Sequence, residues 1–170
     1  IDEKKLRAYA RALKAPVFVL DIEHWEVDPS VHGVDVARSW LERMAGICRT
    51  IKSERPDVVV GCYDILPASE YWALANWAAW QRWKATGERN NTLPDEWWAA
   101  KESEYRTAYE TWQKNNDFTA EIMLPVVDAL FPSVYPSYRL ELPAKADEKA
   151  IQGSLEMDRD VARLKVDEAR

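Results

Sequence analysis

Two short β-branched runs constrain this chain most: Val17-Phe18-Val19-Leu20 and Val58-Val59-Val60-Gly61-Cys62-Tyr63 read as buried strands. About 40 residues separate them, which is room for the helix and loop of a parallel crossover. The stretch between, residues 34–54, carries Val36, Trp40, Leu41, Met44, Ile47, Cys48 and Ile51 at helical spacing, with Arg, Glu and Lys opposite, and Pro56 ends it. A helix over 2–14, on Leu6, Tyr9, Ala10 and Leu13, precedes the first strand and is broken by Ala15-Pro16. A third strand is expected around Phe131 to Tyr135, after a helix over 117–129, with Pro132 and Pro136 limiting its length. This alternation predicts an α/β protein with a parallel sheet. Taken further, it predicts an incomplete TIM-type (β/α) barrel, because 170 residues fall short of the roughly 250 that eight closed units need. A start at Ile1 and a stop at Arg170 inside a charged helix read as a piece of a longer protein.

The rhythm breaks between the second and third strands. Residues 68–116 read as a helical insertion within a single domain spanning 1–170. Seven of the nine tryptophans lie here (Trp72, Trp77, Trp80, Trp83, Trp97, Trp98 and Trp112), with Asn90-Asn91-Thr92-Leu93-Pro94 as the turn between two helical halves. Such a density builds a small aromatic core. The same side chains stack on sugar rings, so some of them are also candidates for a substrate cleft. The tail from Lys145 to Arg170 places Ile151, Leu155, Met157, Val161, Leu164 and Val166 among alternating charges, the pattern of an outer amphipathic helix with solvated charges.

A net charge of −6 and the lack of basic runs with interleaved aromatics argue against nucleic acid as a partner. No apolar stretch reaches the roughly 20 residues of a membrane span. Cys48 and Cys62 match neither a disulfide framework nor a zinc-site spacing and are expected to be buried thiols. No cofactor is expected, and neither a glycine-rich phosphate loop nor a Ser-His-Asp order is present.

Chemistry is concentrated where the first run ends, in Asp21-Ile22-Glu23-His24-Trp25. Residues i and i+2 of a strand share a face, so Asp21 and Glu23 would project together at the strand's C-terminal end. Two carboxylates that close do not both ionise cheaply, so one retains a proton, as an acid catalyst requires. Tyr63 ends the second strand and Tyr135 the expected third, which brings carboxylates and phenols to one end of three strands. Trp25, Asp64, Tyr71 and Trp72 complete the candidates as substrate-binding groups. A metal-dependent hydrolase using Asp21, Glu23, His24 and His32 is a further alternative. It is weakened by the adjacency of Glu23 and His24, which would face opposite sides of a continuous strand.

These residues resemble the hyaluronidases, retaining glycoside hydrolases with an Asp-x-Glu pair at the end of a barrel strand. Asp21-Ile22-Glu23-His24-Trp25 is similar to their Asp-Trp-Glu-x-Trp, and Gly61-Cys62-Tyr63-Asp64-Ile65-Leu66-Pro67 to their Gly-Tyr-Tyr-Gly-Phe-Pro. Asn116-Asp117 and Ala129-Leu130-Phe131-Pro132-Ser133-Val134-Tyr135 resemble their Asn-Asp and Ala-Leu-Tyr-Pro-Ser-Ile-Tyr, in the same order. The resemblance implies Glu23 as general acid and base, Asp21 orienting the substrate's N-acetyl group as internal nucleophile, and Tyr63 and Tyr135 bonding the reacting sugar. It implies an oligosaccharide or polysaccharide substrate, and it favours an extracellular or periplasmic location. Asp64 stands where that family has glycine, the family's nearby cysteine is absent, and the tryptophan-rich insertion replaces a shorter connection. An acidic chain also suits hyaluronan, a polyanion, less well than a neutral glycan. A non-hydrolytic carbohydrate-binding barrel is the alternative, and it predicts binding without turnover.

Overall fold

The computed structural model describes residues 2–22, 24–68, 70–88, 93–133 and 148–168. It divides into two compact units, residues 1–68 with 115–132, and residues 69–114 with 133–170.

The first unit contains helix α1 (Glu3–Ala12), strand β1 (Val17–Leu20), the single turn α2 (Pro29–His32), helix α3 (Val34–Glu54) and strand β2 (Val59–Tyr63). The end of helix α6 (Glu102–Met123), a 3-10 turn (Leu124–Val126) and strand β3 (Ala129–Phe131) complete it. Asp2 caps α1, its carboxylate accepting from the Lys5 amide. The strands are parallel in the order β1-β2-β3, with Val17 opposite Val59, Leu20 opposite Cys62, Gly61 opposite Ala129 and Tyr63 opposite Phe131.

One face of this sheet is buried. Leu20, Val60 and Cys62 join Leu41, Met44, Cys48 and Ile51 of α3 and Met123 of α6 in the core, with Phe18, Ile22 and Leu130 at its margin. The apolar stripe read over 34–54 is therefore what closes the sheet. Both thiols are buried and free, and burial pushes Cys48 up to about 11 and Cys62 up to about 12. On the other face Val17, Val19 and Val59 remain exposed, at 42, 39 and 41 %. Parallel sheets are normally covered on both sides; among the described residues this one is an open sheet with one helical layer.

The expectation of an incomplete TIM-type barrel is corrected by this architecture. Among the described residues there is a small three-stranded sheet in a mainly helical chain, with no closed wall of strands. The helix-strand alternation was real, but it specifies only parallel crossovers, which open sheets and barrels share. The third strand falls at Ala129–Phe131, earlier than 131–135. The helix expected over 117–129 is the end of α6 and stops at Met123; apolar and buried positions continue upstream through Tyr105, Trp112 and Asn116, so the cap-forming residues Asn115, Asn116 and Asp117 lie inside the helix.

The second unit holds helices α4 (Tyr71–Thr86), α5 (Asp95–Ala100), the first part of α6, and α7 (Glu148–Glu168). Gly87, with φ of +71°, ends α4 as a left-handed C-cap. The tryptophans form its core. Trp77 lies parallel to Trp80 at 5.2 Å and to Tyr109 at 5.4 Å, and Trp80 Nε1 donates to the Trp98 carbonyl at 3.2 Å. A second cluster joins Leu74, Ala75 and Trp112 to Val161 of α7. The charges of α7 are not all solvated as its pattern suggested. Asp160 is buried against the guanidinium of Arg82, and Lys165, also buried, donates to the Ser133 carbonyl at 3.0 Å. Periodicity marked these positions as polar, and only their partners make burial tolerable.

Candidate functional site

The site is built where β1 and β2 end. Leu20 is paired with Cys62, so Asp21 and Tyr63 are the next positions on adjacent parallel strands, at the same C-terminal edge. By two-residue alternation Val59, Gly61 and Tyr63 share the face away from the helical core, and Asp21 continues the line of Val17 and Val19. Asp21 is exposed and Tyr63 is half-buried. Ligand sites of open parallel sheets lie beyond the C-terminal ends of the strands where the strand order reverses, and the described order β1-β2-β3 supplies the C-terminal edge without a reversal.

The chain turns sharply after Tyr63. Asp64 has φ of +51°, and its amide donates to the Phe131 carbonyl at 3.0 Å, which ties the end of β2 to the end of β3. A turn follows in which Ile65 and Ala68 form an antiparallel bridge and the Leu66–Pro67 peptide is cis. The Ala68 amide donates to Asn116 Oδ1 at 3.0 Å.

After β1 the chain reaches α2 through Trp25 and Asp28. Asp28 is the N-cap of α2, accepting from the Ser30 amide at 2.7 Å, and it also accepts from Asn115 Nδ2 at 2.9 Å. The Trp25 ring stacks on Trp40 of α3 at 4.9 Å. It also walls a cleft of about 520 Å³ whose other sides are Glu3 and Leu6 of α1 and Arg43, Gly46, Ile47 and Thr50 of α3. Trp25 thus serves the helical layer. Of the residues singled out from sequence, Asp21, Tyr63 and Asp64 are brought to one edge.

Glu23 and Tyr135 lie outside the described residues. Tyr71 and Trp72 belong to the second unit, where the Tyr71 hydroxyl donates to Asp158 Oδ1 at 2.9 Å and Trp72 is 51 % exposed, edge-on to Tyr71. His24 and His32 are exposed, and among the described residues no three His, Cys, Asp or Glu side chains converge as metal ligands would. None of the described helices is long and apolar enough to cross a membrane.

At the opposite end of the strands, Asp128 accepts from Lys52 Nζ at 2.7 Å and from the Val60 amide at 2.8 Å. Lys52, and then the Val60 amide, hold its carboxyl below the usual range. It is a structural latch between α3, β2 and the approach to β3. Sequence reasoning missed Asn115 and Asp128. Asn115 was legible as half of an Asn-Asn pair inside a helical pattern, where asparagine is disfavoured unless its side chain has work elsewhere.

Compared with known proteins, the chain matches no family model, no curated protein and no solved structure.

Proposed function

We propose that this chain is a glycoside hydrolase that cleaves an N-acetylated glycan at the C-terminal edge of its sheet, with retention of configuration. The observation that carries this reading is the placement of Asp21 and Tyr63 at the paired ends of two parallel strands, on one face. Sequence spacing puts Glu23 two residues beyond Asp21. The backbone at Asp64 adds support: a φ of +51° is one that glycine adopts freely, and glycine is what hyaluronidases carry there. The reading needs only the ends of adjacent parallel strands, which this open sheet supplies.

In the proposed reaction the Glu23 carboxyl gives its proton to the glycosidic oxygen as the bond to the anomeric carbon breaks. The substrate's acetamido oxygen closes on that carbon from the opposite face, and Asp21 orients the acetamido N–H and stabilises its positive charge. Water then attacks the anomeric carbon and gives a proton back to Glu23, which restores the N-acetyl group. The Tyr63 hydroxyl bonds the reacting sugar.

The test is hydrolysis of N-acetylhexosaminides and plain hexosides by the chain, with Glu23→Gln and Asp21→Asn as controls. Cleavage confined to the N-acetylated substrates and lost in Glu23→Gln is the expected result. Cleavage of plain hexosides would replace substrate assistance with a protein nucleophile. Glycan binding without any turnover would overturn the hydrolase reading in favour of a carbohydrate-binding protein.

A further inference from the structure

Two consecutive asparagines on α6 reach the two loops that leave the candidate site. Asn115 Nδ2 donates to Asp28 Oδ1 at 2.9 Å, across 87 residues of chain, and Asn116 Oδ1 accepts from the Ala68 amide at 3.0 Å, across 48. Neighbouring positions on an α-helix point about 100° apart, so an adjacent pair is suited to holding two different segments against one rigid rod. Asn116 is 2 % exposed, and its Nδ2 finds no hydrogen-bond partner among the described residues. An unsatisfied buried N–H is costly, and an apolar residue of similar size would avoid that cost. What the amide gives in return is the bond to Ala68. That bond also fixes which side of the amide is oxygen. Asp28 likewise serves twice, since the carboxylate oxygen that Asn115 holds also caps α2.

We propose that Asn115 and Asn116 are positioning residues. Each fixes one loop to α6, and together they set the spacing between the segment that follows Asp21 and the segment that follows Tyr63. The assignment rests on the hydrolase reading for its catalytic meaning, but its mechanical part does not. As positioning residues the two asparagines act through the loops. Their effect is transmitted through Asp28 and Ala68 to backbone that leads back to the acid pair and the phenol, where a misplacement of about 1 Å is enough to slow a reaction severely.

The experiment combines hydrogen exchange and kinetics on the whole chain with the variants Asn115→Ala, Asn116→Leu and the conservative Asn116→Asp. Asn116→Leu should speed exchange in residues 64–68 roughly fivefold or more, and Asn115→Ala should do the same in residues 24–31, with β1 and β2 still protected. Asn116→Asp keeps an acceptor for the Ala68 amide and should restore most of the protection. In the hydrolysis assay each loss should lower kcat by about tenfold or more, with KM changed little. Unchanged exchange in both loops would overturn the proposal. So would faster exchange spread evenly over the strands, which marks general destabilisation. If Asn116→Leu does not fold, Asn115→Ala, at a less buried position, carries the test alone. If the unmodified chain cleaves no glycoside, the hydrolase reading fails, and loop exchange still decides whether the asparagines hold the loops.

Discussion

A Cβ atom on Gly61 would stand 2.4 Å from Cε2 of Phe131, so the ring on β3 occupies the space that any side chain on the middle of β2 would need. The carbonyl of Ala129 would be only 2.9 Å away. Glycine is therefore required here by close approach, within a strand whose other residues are Val59, Val60, Cys62 and Tyr63. Gly61→Ala should destabilise the chain by about 1–3 kcal/mol, read as a lower urea midpoint with an unchanged slope. Introducing the same alanine into a Phe131→Leu background should cost less, because the ring has been withdrawn while the carbonyl remains. Equal costs in both backgrounds would mean that the ring is not the obstacle.

Asp64 offers the complementary case, since its constraint is backbone conformation. At φ of +51° a β-branched side chain meets its own backbone, whereas Asp tolerates the region and glycine is at home there. Asp64→Gly should leave stability within about 0.5 kcal/mol of the parent, and Asp64→Val should lose about 1–2 kcal/mol. Thermal or urea unfolding of the two variants separates a conformational requirement from a need for the carboxylate. If Asp64→Gly is as damaging as Asp64→Val, the carboxylate itself holds the turn.

How much of this was legible in the sequence depends on the range of the interaction. The helix over 34–54 was readable to the residue because its stripe of Leu41, Met44, Cys48 and Ile51 is a local pattern, repeated every turn and facing one sheet. The first two strands were readable for the same reason. Whether parallel strands close into a barrel or stop at three is decided by non-local closure, which no local pattern encodes. The burial of Asp160 was hidden likewise: its partner Arg82 is 78 residues away, and an aspartate on a charged helix looks solvated until that guanidinium is placed beside it. At the candidate site, Asp21 and Tyr63 were readable as strand ends, whereas the link from Asn115 to Asp28 spans 87 residues of chain and left no periodic trace.

Acid should loosen the contact between α1 and the end of α3. The Glu54 carboxylate accepts from Arg11 Nε at 2.6 Å and from Arg7 Nη1 at 2.8 Å, and these two guanidiniums, Arg11 first, hold it down to about 2 from an ordinary 4.5. Because the folded value lies below the unfolded one, the contribution is fully present above about pH 4.5 and is lost as pH falls toward 2. Glu54→Gln should thus be less stable than the parent near neutrality and should lose less on acidification, so that the two stability curves converge at the acid end. Urea midpoints measured between about pH 6 and pH 3 give both slopes. The residual slope of the variant belongs to groups such as Asp57, which Arg55 holds down to about 2. Parallel curves would show that Glu54 is not paired in solution.

The tryptophans of the second unit divide sharply by environment, and that division makes their roles separable. Trp77 is 8 % exposed and lies between the rings of Trp80 and Tyr109, with the Arg106 guanidinium 5.6 Å from its centroid. Trp72, five residues earlier on the same helix, is 51 % exposed. Trp77→Ala removes a ring from a stacked core and should cost about 3–5 kcal/mol. Trp72→Ala removes a ring that is half exposed and edge-on to Tyr71, and should cost clearly less than Trp77→Ala, about 1 kcal/mol. A stacking role for Trp72, expected from sequence, then has a clean signature: Trp72→Ala should weaken glycan binding by about fivefold to tenfold with the fold intact, measured by calorimetric titration of an N-acetylated oligosaccharide. Unchanged affinity would leave Trp72 without a ligand role. A loss of stability as large as that of Trp77→Ala would instead make it a core residue, and the aromatic richness of this unit would be explained by folding alone.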